Sequence, residues 1–273
     1  MTDTWNPAQY DKFRRERERP FFDLLAMVRQ APDMRVIDLG CGTGALTRLL
    51  HARLQAHSTL GLDRSGRMLE SARASTLPAG LQFSIGDVRD FTGLSEYDLI
   101  FSNAVFHWVD DHERLVTRLA AALRPRGQLA FQIPASHDDP SHTVAEALTK
   151  VEPFARAFDG WHRPQPVLTP EAYARLLHRT GFTGPSVHLI VYPHVLSGPE
   201  DVVEWMKGTL LTEYERHLPP ELFAPFVAAY RDRLLACLDR TRPFFFPFKR
   251  ILCWGQKEVR EQPGATRAAS AGP

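Results

Sequence analysis

Four short segments carry residue types whose chemistry converges on one ligand. The first is Val36-Ile37-Asp38-Leu39-Gly40-Cys41-Gly42-Thr43-Gly44. An apolar run ends in a loop with glycine at alternate positions, and a helical pattern follows. Gly40, Gly42 and Gly44 let the backbone turn sharply and approach a ligand closely, because no Cβ intervenes. N–H groups at the start of the following helix then face that ligand. Asp38, inside the strand just before the loop, is placed to hold an amino group. The second segment ends in Asp63, roughly twenty residues beyond the glycine loop, where Rossmann-like folds set an acid on ribose hydroxyls. A carboxylate accepts from both hydroxyls at once, and Arg64 adjoins it in the same subsite. The third is Gly86-Asp87-Val88-Arg89-Asp90, in which Asp87 would accept an adenine exocyclic amine while the Val88 N–H donates to a ring nitrogen. The fourth is Phe101-Ser102-Asn103-Ala104-Val105-Phe106-His107-Trp108.

A ligand with an amino group, a ribose and an adenine satisfies the first three segments. Gly40, Gly42 and Ala45 also meet the G-x-G-x-x-G/A dinucleotide pattern, so an NAD-type nucleotide is an alternative. The in-strand Asp38, the third glycine at Gly44 and the lack of a hydride-transfer constellation favour S-adenosylmethionine. Asn103 then lies at the floor of the site beside the sulfonium, and His107 and Trp108 face the methyl acceptor.

The elements that must position these residues alternate between strand and helix. Strand patterns occur at Arg35–Leu39, Thr59–Asp63, Leu81–Asp87, Tyr97–Ser102 and Gly127–Ile133. Helical patterns lie between them at Ala45–Leu54, Gly66–Ser75 and Asp111–Leu123. A further helix is expected at Glu171–Thr180, a sixth strand at Ser186–Leu196 and a seventh at Phe248–Trp254. Such alternation predicts βαβ units, and crossover handedness puts helices on both faces of the sheet. The expected fold is therefore α/β: a Rossmann-like, seven-stranded, mostly parallel sheet. Two stretches are left over, near 136–168 and 198–242. Both follow strand ends, where open α/β sheets bind ligands, and are expected to form a helical cap. The domain organisation expected is an N-terminal helical segment over 1–30, a core over 31–258 and a disordered tail over 259–273.

The chain has 273 residues, with 33 Lys plus Arg against 32 Asp plus Glu and a net charge of +1. No global basic excess points to nucleic acid. No apolar stretch reaches the ~18 residues of a membrane span, and the N-terminus has no secretory pattern. Three cysteines without metal-ligand spacing fit a reducing cytoplasm. The 11 histidines form no cluster of ligand spacing, so no metal is expected. A monomer or small homo-oligomer acting on a small molecule is the corresponding partner expectation.

Together the four motifs resemble the class I S-adenosylmethionine-dependent methyltransferases over roughly residues 34 to 134. The flanks narrow the likeness. Trp5-Asn6-Pro7-Ala8-Gln9-Tyr10, Arg17-Glu18-Arg19-Pro20, His107-Trp108, Gln132-Ile133-Pro134 and Pro247-Phe248-Lys249-Arg250 look like the trans-aconitate methyltransferase family. The resemblance implies methyl ester formation on a small acid, with the N-terminal segment closing over the cofactor and Tyr10 touching it. Two departures fall where the acceptor should bind: Gly208-Thr209 is followed by Leu210-Leu211 rather than Arg-Pro, and His107 replaces a glutamine. A polyanionic acceptor needs cations to orient it, and Arg19, His107, His162, Arg163, Lys249 and Arg250 are candidates. A less basic, more aromatic pocket built from residues such as Trp161, Phe154, Phe158, Trp205 and Phe244 to Phe246 would instead suit another small-molecule O- or C-methylation. A carboxylate is already ionised at neutral pH, so no general base is required.

Overall fold

The computed structural model describes residues 14–258. Tyr10, the first part of the N-terminal segment and the tail over 259–273 lie outside the described residues.

Seven strands form one sheet: β1 Arg35–Leu39, β2 Ser58–Asp63, β3 Leu81–Ile85, β4 Tyr97–Asn103, β5 Leu123–Pro134, β6 Phe182–Leu196 and β7 Phe244–Lys257. Their spatial order is β3-β2-β1-β4-β5-β7-β6. All are parallel except β7, which runs antiparallel to both of its neighbours. The order reverses at β1, between β2 and β4, and it is beyond the carboxyl ends of such strands that doubly wound sheets bind ligands.

Helices cover both faces. On one side, α1 (Arg14–Met27) and α2 (Ala45–Leu54) bring Phe21, Leu24, Leu50 and Leu54 against Val36, Leu99, Phe101 and Ala130. On the other, α4 (His112–Ala122) and α7 (Pro170–Arg179) bury Leu115, Leu119, Tyr173 and Leu176 against Ile37, Ile100 and Leu129. α3 (Gly66–Arg73) flanks β2 and β3 and is capped by Ser65, whose hydroxyl accepts the Met68 N–H at 3.3 Å. Asp111 and Thr169 cap α4 and α7 in the same way.

The two leftover stretches are helical and share one core. The first gives α5 (Pro140–Leu148) and α6 (Phe154–Phe158); the second gives α8 (Glu200–Lys207), α9 (Leu211–His217) and α10 (Pro220–Cys237). Leu148, Phe154 and Phe158 pack with Trp205, Tyr214, Phe226 and Tyr230, above Phe244, Phe246 and Phe248 of β7. Most of the aromatics considered for a pocket lining are therefore the interior of the cap, and Phe245 faces solvent.

Several boundaries differ from those expected. β3 stops at Ile85, leaving Asp87 in the following loop. β6 and β7 extend well beyond the expected ranges, because each pairs with the other from Leu196↔Phe244 down to Phe182↔Lys257. Only the part of β7 from Arg250 onward also pairs with β5. Among the described residues no helix is long and apolar enough to cross a membrane.

Candidate active site

A cavity of about 520 Å³ opens at the carboxyl ends of the central strands and runs under the cap. Its inner half is built by the glycine loop. The Gly40 and Cys41 N–H groups donate to the Leu62 carbonyl at 2.7 and 3.0 Å, which fixes the loop against β2. Gly40 has φ +81°, and a Cβ there would clash with the Val105 side chain. Gly42 has φ +55° with nothing within 4 Å of its Cβ position, so the missing side chain leaves open space in the cavity wall.

Asp38 is almost fully buried and lines this half. Thr47 Oγ1 donates to its Oδ2 at 2.6 Å, while Oδ1 has no partner among the described residues. Burial pushes its carboxyl up to about 7, against the Thr47 bond, which pulls it down. Asp63 Oδ2 accepts the Gly42 N–H at 2.8 Å, and its Oδ1 accepts the Ser65 N–H at 2.9 Å. Asp63 thus shapes the loop as well as facing the cavity. Asp87 is held by Arg89, which donates from its backbone at 2.8 Å and from its guanidinium at 3.0 and 2.5 Å. Those bonds hold the Asp87 carboxyl below its usual range.

The outer half lies between a single 3₁₀ turn, Phe106–Trp108, and the cap. His107 and Trp108 line it, with His142, Arg163, Trp205 and Glu213 from the cap and Phe248 and Arg250 from β7. The Arg163 guanidinium stands 5.7 Å from the centre of the Trp108 ring, and Arg250 lies 5.1 Å from that of Phe248. His107 Nδ1 and Arg163 Nε are buried and have no hydrogen-bond partner among the described residues. Burial, then the charges of Arg163 and Arg250, drive the His107 imidazole well below its ordinary value, so it is neutral. Burial and Arg163 likewise push His142 down to about 3.

A short chain of side chains joins the two halves. Arg250 Nη1 donates to Gln132 Oε1 at 3.1 Å, and Gln132 Nε2 donates to Asn103 Oδ1 at 2.5 Å.

A methyltransferase domain model matches residues 10–187. A trans-aconitate 2-methyltransferase of Deinococcus radiodurans is 42% identical over 91% of this chain and 96% of its own. That of Streptomyces avermitilis is 37% identical over 94% and 98%. This chain is a member of the trans-aconitate 2-methyltransferase family. The fold is shared more widely. The Bacillus subtilis YcgJ structure superposes with a TM-score of 0.58 at 17% identity, covering 89% of this chain and 99% of that one.

The protein is accordingly an S-adenosylmethionine-dependent methyltransferase. Of the residues singled out from sequence, Asp38, Gly40, Gly42, Asp63, Arg64, Asp87, Val88, Asn103, His107, Trp108, Arg163 and Arg250 all line the methyltransferase cavity. Gly44 supports it from behind, at φ +72° against the Phe83 ring. Three proposed cations are not brought there. Arg19 is exposed, 3.9 Å from Asp23 and over the Tyr192 ring at 5.8 Å. Lys249 alternates with Arg250 along β7, so it faces away, and its ammonium pairs with Asp138 at 2.5 Å. His162 is exposed. Lining residues that the sequence did not reveal include Glu18 and Phe21 of α1, and His142, Glu213 and Arg216 of the cap. Only the helical periodicity of the second insertion, and the position of both insertions after strand ends, hinted at the cap residues. Among the described residues no group of three or more His, Cys, Asp or Glu could hold a metal ion.

Proposed function

We propose that the methyltransferase esterifies a carboxylate of trans-aconitate, and that the glycine-loop half of the cavity binds the donor. The single observation that carries the acceptor reading is the pair of guanidiniums in the outer half, buried Arg250 and half-buried Arg163. Arg163, whose Nε has no partner among the described residues, calls for an anion, and planar guanidiniums match carboxylates in geometry. The names of the relatives supply the particular acid.

The inner half suits the donor on its own geometry. Asp38 Oδ1, buried and without a partner among the described residues, would receive the ammonium; Asp63 and Arg64 would hold the ribose, Asp87 and Val88 the adenine, and Asn103 would lie beside the sulfur. S-adenosylmethionine, when bound, supplies a methyl group already activated by its sulfonium, and an ionised carboxylate takes it without a general base. The residues contribute alignment and exclusion of water. Arg163 and Arg250 hold the carboxylates that do not react. Neutral His107, with Trp108, orients the one that does, without adding a full positive charge that would hold the nucleophile in its ground state. A cytoplasmic setting is supported by the exposed free thiol of Cys237, which a reducing compartment keeps intact.

The test is mass spectrometry of a reaction holding enzyme, S-adenosylmethionine and trans-aconitate. A monomethyl ester at an enzymatic rate supports the reading. No ester, with S-adenosylhomocysteine still bound, means a different small-molecule acceptor under this cap.

A further inference from the structure

The 3₁₀ turn that presents His107 and Trp108 is only three residues long. Its own backbone supplies two bonds, Trp108 N–H to the Val105 carbonyl at 2.9 Å and Val109 N–H to the Phe106 carbonyl at 2.8 Å. Such a turn has poor hydrogen-bond geometry and little stiffness of its own. Something else must hold it if the two side chains are to meet an acceptor in one orientation.

Behind it lies a fully buried polar chain that the reaction does not touch. His112, the first residue of α4, is 3% exposed, and Tyr173 of α7 is 0% exposed. His112 Nε2 is 2.9 Å from the Phe106 carbonyl oxygen, and His112 Nδ1 is 2.5 Å from Tyr173 Oη. The Leu168 N–H donates to the same Tyr173 oxygen at 3.2 Å. These partners determine every proton. A carbonyl only accepts, so Nε2 carries the hydrogen; Nδ1 is then the acceptor, and the Tyr173 hydroxyl donates to it while receiving Leu168. Burial keeps the imidazole below its ordinary value, in the neutral form this pattern needs.

We propose that His112, oriented by Tyr173, is a positioning residue that sets the angle of the His107–Trp108 turn toward the acceptor. The decisive point is that the Phe106 carbonyl is already satisfied by Val109 N–H. The bond from His112 is therefore not needed to avoid a buried orphan. It adds a second direction to the same oxygen, and so fixes the rotation of the peptide that opens the turn. Phe106 itself is 1% exposed and packs on Phe131 at 4.9 Å between ring centres, which leaves that rotation as the remaining freedom. Leu168 ends the first cap insertion, so the same chain ties the return of the cap to the turn. The role presumes, as proposed above, that the acceptor meets His107 and Trp108.

The test uses the full chain as wild type, Tyr173→Phe, His112→Ala and His112→Gln. Three quantities are measured: S-adenosylhomocysteine affinity, steady-state kinetics with trans-aconitate, and amide hydrogen exchange with S-adenosylhomocysteine bound. Tyr173→Phe and His112→Ala are expected to cut kcat/KM for the acceptor about tenfold or more, since small misplacements cost that much. Cofactor affinity is expected to stay within about twofold. His112→Gln, whose amide reaches the Phe106 carbonyl, is expected to recover most of the loss. Exchange is expected to quicken at His107, Trp108 and Val109 but not at Gly42 or Gly44. Variants that melt earlier yet keep the acceptor kcat/KM overturn the proposal, as does exchange that quickens equally in the turn and the glycine loop. If the wild type makes no ester, the acceptor reading fails, and the exchange pattern alone decides the positioning role.

Discussion

Asp38 keeps one oxygen on Thr47 and leaves the other bare in a buried wall. With its carboxyl raised to about 7, the folded enzyme holds a proton there that the unfolded chain loses near pH 4. The sign follows directly. This group makes the free enzyme less stable as pH rises from about 4 to 7, since the native state binds more protons across that window. A cofactor ammonium favours the ionised form and reverses the preference. Affinity for S-adenosylhomocysteine should therefore rise about tenfold from pH 5 to 6 and flatten above 7. Calorimetry should record proton release on binding at pH 6 and none at pH 8, and Asp38→Asn should abolish the difference. Asp63→Ala removes the acceptor of two backbone N–H groups and the partner assigned to the ribose. It should weaken cofactor binding by about ten- to a hundredfold; unchanged affinity refutes the assignment. Arg163→Met should lower kcat/KM for trans-aconitate by a similar factor, with cofactor affinity unaltered, because a charge-assisted hydrogen bond is worth about 1.5–3 kcal/mol.

At the scale of the element, Gly40 and Gly42 stand two residues apart in one loop and should fail differently. An alanine at either adopts a positive φ at a cost of about 1–2 kcal/mol. At Gly40 the new methyl also strikes Val105, so Gly40→Ala should lower both the melting temperature and cofactor binding. At Gly42 the methyl enters open space, so Gly42→Ala should keep most of the stability and lose affinity, by thermal melts with and without S-adenosylhomocysteine. This loop and strands β1 to β5 were legible in the sequence because each is a local pattern: a run of apolar residues, a glycine spacing, an acid at a strand end. β6 and β7 were read short because their outer ends are held only by each other, Phe182 against Lys257 and Phe244 against Leu196, partners far apart in sequence. His142, Glu213 and Arg216 were missed for the same reason. They come from separate insertions, and only the shared cap core brings them over the cavity. Lys249 and Arg250 were read as equivalent, although strand alternation sends their side chains to opposite faces.

For the whole molecule, the division into two halves has an energetic signature. Phe226 is fully buried in the cap core, against Phe154 and Tyr214 at 5.2 and 5.3 Å between ring centres. Phe226→Ala should cost about 3–5 kcal/mol. Because that cavity opens in the cap and not beneath the glycine loop, acceptor turnover should collapse while S-adenosylhomocysteine affinity falls only modestly. Parallel loss of both would show that cap and core unfold together. The route of the chain gives this division a longer reach. Both insertions start beyond the carboxyl ends of parallel strands, the first after β5 and returning through α7, the second after β6 and returning into β7, and the strand register stays outside them. Residues can be gained or lost in either insertion without shifting any rung that holds Asp38, Asn103 or Arg250. A lineage can thus try new acceptors by editing the cap's length and composition while its donor chemistry is inherited intact, and the same two seams are where an engineer would graft a foreign cap.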